Sequence, residues 1–159
     1  MNSKKLFDLT GQVAIVTGGS RGIGKAIALG LADAGADVVV SSRKLTDLEE
    51  VAREITNLRR KSLALAAHVG KVEDIKNLVT RTLEEFGNID ILVNNAATNP
   101  VFCPILDIEE RAWDKIFEVN LKGAFFLSQE VCTKSMKQHG GKIINIASTA
   151  GMSPDIGLG

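Results

Sequence analysis

A glycine-rich stretch near the amino terminus has the residue types and spacing of a phosphate-binding turn. Residues 17–24 read T-G-G-S-R-G-I-G; a run of apolar residues, 13–17, leads into them and an amphipathic stretch follows. A pyrophosphate needs backbone amides that it can approach closely and the positive end of a helix dipole, which small residues allow. The pattern predicts a dinucleotide site between a strand and a helix, although the same glycines could simply permit a tight turn.

The same stretch also satisfies the first part of a nucleoside-triphosphate P-loop. Residues 19–25 fit G-x-x-x-x-G-K, and the next position of that motif is a Ser or Thr whose hydroxyl coordinates magnesium. Ala26 occupies that position and has no hydroxyl. The sequence therefore argues against phosphoryl transfer.

The elements that must position this turn alternate between short apolar runs and longer amphipathic stretches. This alternation is typical of strands buried on both faces and joined by crossover helices. It predicts an α/β fold of the Rossmann type, a doubly wound parallel sheet in the order 3-2-1-4-5, within one domain over residues 1–159. The predicted strands are 13–17, 37–41, 62–66, 91–94 and 142–146, and the predicted helices are 22–34, 46–60, 72–86 and 107–139.

Two local signals refine these boundaries. Thr46, with Glu49 three residues later, has the spacing of a capping box at the start of the second helix. The last residues, 148–159, contain Gly, Ser and Pro and are predicted to be a loop. No internal repeat or linker interrupts the chain.

Composition excludes several classes of partner. The 159 residues carry 19 acidic and 19 basic side chains, so no electrostatic footprint for nucleic acid is visible. No apolar run has the length of a transmembrane helix or a signal peptide, which predicts a soluble, cytoplasmic protein without a membrane partner. Cys103 and Cys132 form no close-spaced pair, and no metal site is predicted.

Four motifs, in order, resemble the short-chain dehydrogenase/reductase family. The turn 17–24 matches the family's T-G-x-x-x-G-hydrophobic-G, and 87–97 is similar to its G-x-h-D-h-h-h-N-N-A-G, with Ala97 in place of the last glycine. Residues 119–123 resemble the helical h-N-h-x-G, and 141–149 resemble the strand G-x-h-h-h-h-S-S-h, with Ala147 in place of the first serine. The resemblance extends over nearly the whole chain.

The resemblance implies roles for particular residues. Ser148 would donate its hydroxyl to a substrate oxygen on which hydride transfer builds negative charge, and Asn120 would bend the long helix and hold a water of a proton relay. Asn95 with Ala96 and Ala97 would lie beneath the adenosine ribose. The residues implied to line the phosphates are Gly18, Ser20, Arg21, Gly22, Ile23 and Gly24.

The cofactor implied by the second strand is NADP(H) rather than NAD(H). An acid at the carboxyl end of that strand would bind the ribose 2′-hydroxyl of NAD, whereas this strand ends in Ser42 and Arg43, with Asp37 at its far end. Arg21 offers a second cation to a 2′-phosphate, although Arg43 could also be an ordinary solvated residue. At the end of the third strand His68 and Val69 stand where the family usually has an acid facing the adenine. His68 would stack on the base or accept a hydrogen bond; the alternative is a partly buried residue without a role in binding.

The resemblance also indicates which catalytic residues this chain lacks. The family transfers a proton through a tyrosine four residues before a lysine, and this chain contains no tyrosine; the position would fall just past Gly159. We therefore expect an amino-terminal fragment of an NADP-dependent oxidoreductase that acts on a small alcohol or carbonyl substrate, inactive alone. The alternative is a non-catalytic dinucleotide-binding module or a decayed fragment.

Two further expectations concern the complete protein, and a third concerns this chain alone. Its residues most resemble the NADPH-dependent carbonyl and retinal reductases, some of which carry a peroxisomal address at a carboxyl terminus that this sequence lacks. Members of the family are commonly homo-oligomers, often tetramers, and their long helix forms a subunit interface. The fifth strand would lie at a sheet edge, so we also expect this chain to associate or to be poorly soluble.

Overall fold

The computed structural model of this protein describes residues 6–152. Five parallel strands form one sheet in the order β3-β2-β1-β4-β5, as predicted from the sequence. Their carboxyl ends lie along one edge of the sheet, where Thr17 pairs with Ser41 and Asn94 with Asn145. The strands are β1 (Val13–Thr17), β2 (Asp37–Ser42), β3 (Ser62–Ala66), β4 (Ile91–Asn94) and β5 (Lys142–Asn145).

Helices cover both faces of the sheet, so the central strands are buried on both sides. On one face α1 (Gly22–Asp33) and α2 (Leu45–Asn57) pack on a core that includes Val16, Val38 and Val40. On the other face α3 (Val72–Phe86) and the long helix pack on a core that includes Ile15, Val39 and Leu92. This two-sided burial explains why β1 and β2 are almost uninterrupted runs of apolar residues.

The long helix between β4 and β5 is not uniform. It consists of α4 (Glu110–Phe117), a wider π-helical turn (Glu118–Gly123), α5 (Ala124–Val131), a second π-helical turn (Cys132–Met136) and a last short turn, α6 (Lys137–His139). A π-helical segment inserts a residue into the helical repeat and is often found at functional sites. The first such segment contains Asn120, where the resemblance implies a bend.

Several predicted boundaries were wrong. The second helix begins at Leu45 with Lys44 as its N-cap, and no capping box forms: the Thr46 hydroxyl donates instead to the carboxylate of Asp47. The long helix begins at Glu110 rather than 107, because a 3-10 turn at Ile105–Asp107 and extended backbone at Ile108 and Glu109 precede it.

Smaller differences affect strand and helix ends by up to three residues. β2 is one residue longer than predicted and β5 one shorter; α1 ends at Asp33 and α2 at Asn57. Within the predicted terminal loop, Thr149–Gly151 forms a 3-10 turn capped by the Ser148 hydroxyl. Residues 153–159 of that loop lie outside the described residues. Within 6–152, no helix combines the length and the apolar character that crossing a membrane requires.

Candidate functional site

The glycine turn is held close to the end of β4, in a conformation that side chains would prevent. Gly18 has φ +64, and a Cβ there would lie 2.7 Å from the Asn95 amide nitrogen. A Cβ on Gly24 would overlap both the Gly18 carbonyl oxygen and the same Asn95 amide. These two positions therefore require glycine, because any larger residue would push the turn away from β4.

The amino terminus of α1 points its free backbone amides at this turn. Arg21 is the N-cap residue, in extended conformation, and no side chain caps the helix. The first helical hydrogen bond is donated by Lys25 to the Arg21 carbonyl oxygen. The amides before Lys25 are thus available, with the helix dipole, to an anionic group.

Thr17 and Asn95 clamp the ends of β1 and β4 together. The Thr17 Oγ1 accepts from the backbone N–H groups of Asn95 and Ala96, both at 3.0 Å, and donates to the Val93 carbonyl at 3.2 Å. The Asn95 amide nitrogen donates to the Thr17 carbonyl at 2.8 Å and to the Gly18 carbonyl at 3.3 Å. The Asn95 side chain therefore acts on the turn itself, which keeps the glycine amides in place.

A cleft of about 750 Å³ opens over this edge of the sheet. All thirteen residues predicted to bind cofactor line it, brought together from the ends of β1, β2, β3 and β4: Gly18, Ser20, Arg21, Gly22, Ile23, Gly24, Ser42, Arg43, His68, Val69, Asn95, Ala96 and Ala97. The cleft lies at the point where the strand order reverses from β1 to β4. Ligands of open α/β sheets bind at this topological position.

One wall of the cleft is cationic. Arg21, Arg43 and Lys44 are exposed there, and within residues 6–152 none of them forms an ion pair. Asp37, at the opposite end of β2, is held by Arg60 at 3.0 Å and faces away from the cleft edge. One acid, Asp47, also lines the cleft, and Lys115 lines it near the end of β3, so four cations and one carboxylate line it.

The end of the cleft near β3 contains a chain of polar contacts. His68 Nδ1 accepts from the Gly70 backbone N–H at 3.0 Å, and its Nε2 lies 2.9 Å from Lys115 Nζ. Lys115 donates to a Glu118 carboxylate oxygen at 2.7 Å. The hydrogen bond from Lys115 is the main reason why the pKa of Glu118 lies below its ordinary value, with the charges of Lys115, His68 and Lys122 acting in the same direction against the effect of burial.

The two predicted catalytic residues lie outside the cleft wall. Asn120 contacts the wall through Thr98: its Oδ1 accepts from the Thr98 N–H at 2.8 Å, and its Nδ2 donates to the Thr98 carbonyl at 2.9 Å. Ser148 follows β5 on an exposed loop, where its hydroxyl oxygen accepts from Ala150 N at 3.1 Å. The structure thus links Asn120 to the cleft, and among residues 6–152 the Ser148 hydroxyl only accepts, from Ala150.

Reasoning from the sequence missed part of the cleft wall. Val119 directly precedes Asn120 within a recognised motif, and Ser41 and Lys44 flank Ser42 and Arg43, so position in the chain could have indicated them. Lys115 carries no such signal, because only the packing of the long helix against the loop that follows β3 brings it to His68. The wall residues absent from the predicted set are Ser41, Lys44, Asp47, Ala67, Thr98, Lys115 and Val119.

Known proteins are similar to this chain in sequence and in structure. The rabbit (Oryctolagus cuniculus) protein Dehydrogenase/reductase SDR family member 4 is 43% identical over 154 residues, which are 95% of this chain and 58% of that protein. The crystal structure of a short-chain type dehydrogenase/reductase from Mycobacterium marinum has a TM-score of 0.92 at 36% identity, over 98% of this chain and 63% of that one.

A third similar protein was solved with ligands. The structure of 7α-hydroxysteroid dehydrogenase complexed with NADH and 7-oxo glycochenodeoxycholic acid has a TM-score of 0.92 at 34% identity, over 99% of this chain and 61% of that one. The chain thus spans about three fifths of the length of these relatives. The model of the short chain dehydrogenase family matches residues 12–159. The chain therefore belongs to the short-chain dehydrogenase family.

Proposed function

We propose that this chain is the cofactor-binding portion of an NADP-dependent oxidoreductase that exchanges a hydride between a nicotinamide and a small alcohol or carbonyl substrate. The observation that carries the proposal is the close approach of the glycine turn to β4 beside an uncapped helix terminus. A turn that only reversed the chain would need neither the crowding at Gly24 nor the free amides of α1.

The residues present fit a dinucleotide. Gly18 and Gly24 allow the turn to lie against β4 beside the cleft, and the cleft volume of about 750 Å³ suits a molecule of that size. Ser41, at the end of β2, has a buried hydroxyl without a hydrogen-bond partner within the described residues, and it lines the same cleft. A buried polar atom of this kind is usually satisfied by a ligand or water.

The preference for NADP(H) over NAD(H) follows from the cationic wall. Arg43 and Arg21 would hold the 2′-phosphate as a fork of donors, with the Ser42 hydroxyl beside them. The similar 7α-hydroxysteroid dehydrogenase was solved with NADH, so membership of the family does not decide between the two cofactors. The absence of an acid at the end of β2 is what favours the phosphate.

The remaining roles concern substrate and proton. Bound nicotinamide would supply the hydride acceptor or donor. Ser148 would donate its hydroxyl hydrogen to the substrate oxygen and so stabilise negative charge there. Thr98 engages one Oδ1 lone pair and one Nδ2 hydrogen of Asn120, which leaves the others to hold a water of the proton relay.

Turnover would need groups that this sequence does not contain. No tyrosine is present among its 159 residues, so the side chain that transfers the proton in this family is missing from it. We therefore propose that the chain alone binds cofactor and reduces no carbonyl substrate. In the intact protein we place it in the cytoplasm, as a homo-oligomer formed through the long helix, with peroxisomes as the alternative compartment.

Binding of the two cofactors to the purified chain tests this function. Isothermal titration calorimetry with NADPH and NADH should give one site and a lower Kd for NADPH. Tighter binding of NADH would contradict the role given to Arg43. Steady oxidation of NADPH by the pure chain with an aldehyde or ketone would contradict the proposal that it lacks turnover.

The absence of tyrosine also favours a second candidate, a dinucleotide-binding module without catalysis. The two candidates differ in what the complete gene encodes. A Tyr-x-x-x-Lys motif soon after Gly159 and activity that is lost when this tyrosine is replaced by phenylalanine support the oxidoreductase. A stop codon at that point supports the module.

A further inference from the structure

Gly123 is the last residue of the first π-helical turn, and its backbone conformation does not require glycine. The residue is buried, with φ −60 and ψ −50, angles that every residue adopts in a helix. Alanine would favour the helix more than glycine does, because glycine loses more conformational freedom on folding. The reason for glycine at this position must therefore lie in what the backbone contacts.

Gly123 contacts the loop that follows β3. A Cβ added at Gly123 would lie 2.8 Å from the Val69 carbonyl oxygen and 3.1 Å from Cγ2 of the same residue. The carbonyl oxygen belongs to the backbone, so only a shift of the loop or of the helix could make room for the Cβ. Val69 lines the cleft. Glycine thus lets the long helix lie directly against a residue of the cleft wall.

A second glycine brings the same loop against the beginning of the π-helical turn. A Cβ added at Gly70 would lie 2.7 Å from Cγ and 2.8 Å from Cδ of Glu118, the first residue of that turn. The Glu118 carboxylate is held in turn by Lys115, at 2.7 Å. The backbone N–H of His68 donates to the Asp74 carboxylate at 2.8 Å, which fixes the loop to α3. The loop is therefore in close contact with both ends of the π-helical turn.

The π-helical turn also reaches the cleft at a second place. Asn120 lies within the turn and holds both backbone groups of Thr98, which lines the cleft. With a pyrophosphate at the glycine turn, the adenosine half of a dinucleotide extends over the ends of β2 and β3, where Val69 lies. The π-helical turn thus joins the adenosine end of the cleft to the residue proposed to hold the water of the proton relay.

We propose that Gly123 is a positioning residue, which couples occupancy of the adenosine end of the cleft to the position of the Asn120 side chain. This inference rests on the proposed dinucleotide function. Close-packed segments transmit small displacements, and no side chain on Gly123 or Gly70 separates the loop from the turn. A ligand that contacts Val69 therefore shifts the π-helical turn, and Asn120 moves with it.

An NMR titration of the labelled chain with adenosine 2′,5′-bisphosphate tests the proposal. This probe contains the adenosine half of NADP and no nicotinamide, so it occupies only the adenosine end of the cleft. We expect a saturable shift of the Asn120 side-chain amide in the wild type. In Gly123→Ala the shift should disappear at saturation, while those of Gly18 and Arg43 remain, because the added methyl group separates the turn from Val69. A general loss of stability would not remove one shift selectively.

Gly70→Ala is a second and milder variant, because its added Cβ meets a side chain rather than backbone. It should reduce the Asn120 shift, and combining it with Glu118→Ala, which removes the atoms that the Cβ meets, should restore the shift. Where Gly123→Ala does not fold, this pair of variants decides. Gly30→Ala, in a helix and with nothing within 4 Å of the added Cβ, is the matched control and should leave every shift unchanged.

Two results would overturn the inference and leave the dinucleotide function intact, because the probe would still bind. One is a saturated wild-type chain without a shift of the Asn120 side chain. The other is an equal Asn120 shift in the wild type, Gly123→Ala and Gly70→Ala, which would place the coupling along residues 95–98 instead. A folded chain that binds neither the probe nor NADPH would overturn both the inference and the proposed function.

Discussion

Gly24 is the position in the glycine turn where an added side chain would meet the closest atoms. Its missing Cβ is the space in which the Gly18 carbonyl and the Asn95 amide meet. We expect Gly24→Ala to separate the turn from β4 and to weaken NADPH binding by at least tenfold, measured by calorimetry. Gly30→Ala, in the same helix with open space around the added methyl group, should leave binding unchanged and stabilise the chain by about 0.5–1 kcal/mol. Equal loss in both variants would contradict this account.

Arg43 should decide between the two cofactors. Removing its charge takes away the fork of donors proposed for the 2′-phosphate, a group that NADH lacks. We expect Arg43→Gln to raise the Kd for NADPH about tenfold or more and to change that for NADH less than threefold. Arg53→Gln, at an exposed position of α2 away from the cleft, should affect neither. An equal rise in Kd for both cofactors would show that Arg43 does not bind the 2′-phosphate.

The residues that could be predicted from the sequence are those whose type is dictated by backbone geometry or by a strand end. Glycines at 18, 22 and 24 and the polar residues after β2 and β4 line the cleft as predicted. Lys115 could not be predicted, because its position depends on how the long helix packs against the loop that follows β3. The role of Asn95 was predicted only in part. The sequence did not indicate that its side chain donates to the Thr17 and Gly18 carbonyls.

Among the elements, the junction between the long helix and the segment before β4 depends on one buried serine. Ser135 Oγ accepts from the Ile89 N–H at 2.9 Å and donates to the Ile89 carbonyl at 3.1 Å, with the side chain 3% exposed. Ser135→Ala leaves both backbone groups buried without partners. We expect the free energy of unfolding to fall by about 2–3 kcal/mol, measured by urea denaturation.

The neighbouring Thr133, exposed on the same turn, provides the control for this substitution. Thr133→Ala should change the free energy of unfolding by less than about 0.5 kcal/mol. If both variants unfold at the same urea concentration as the wild type, the serine does not contribute to the junction.

The predicted elements were correct in type and order but not at every end. The apolar runs identified all five strands, because burial on both faces leaves an unbroken apolar pattern. The Thr46 capping box failed because Lys44 took the N-cap position and the helix began one residue earlier than predicted. The π-helical turns at Glu118–Gly123 and Cys132–Met136 could not be predicted, since a wider turn leaves no distinctive apolar period.

At the scale of the whole molecule, apolar side chains are exposed on two surfaces of the described part of the chain. On the long helix, Trp113 stacks on Phe117 with ring centroids 4.4 Å apart, and both rings are exposed together with Leu121 and Phe125. Val131, further along the same helix, is fully buried. The other surface is β5, exposed along its length and paired within the described residues only to β4.

These surfaces lead us to expect that the chain self-associates. Sedimentation velocity should show species larger than a monomer at micromolar concentrations, and Phe125→Lys should shift the distribution toward monomer. Gln138→Lys adds the same charge to an exposed polar position near the end of the long helix and should not. A monodisperse wild-type monomer would contradict the expectation.

The central claim is that a dinucleotide binds in the cleft above β1 and β4. An amide NMR titration of the labelled chain with NADPH tests this claim most directly, because it reports both binding and location. We predict saturable shifts at one site, largest for Gly18, Ser20 and Ile23, with smaller changes at Arg43 and Ala96. A well-folded chain without saturable shifts, or with shifts centred away from the glycine turn, would contradict the account.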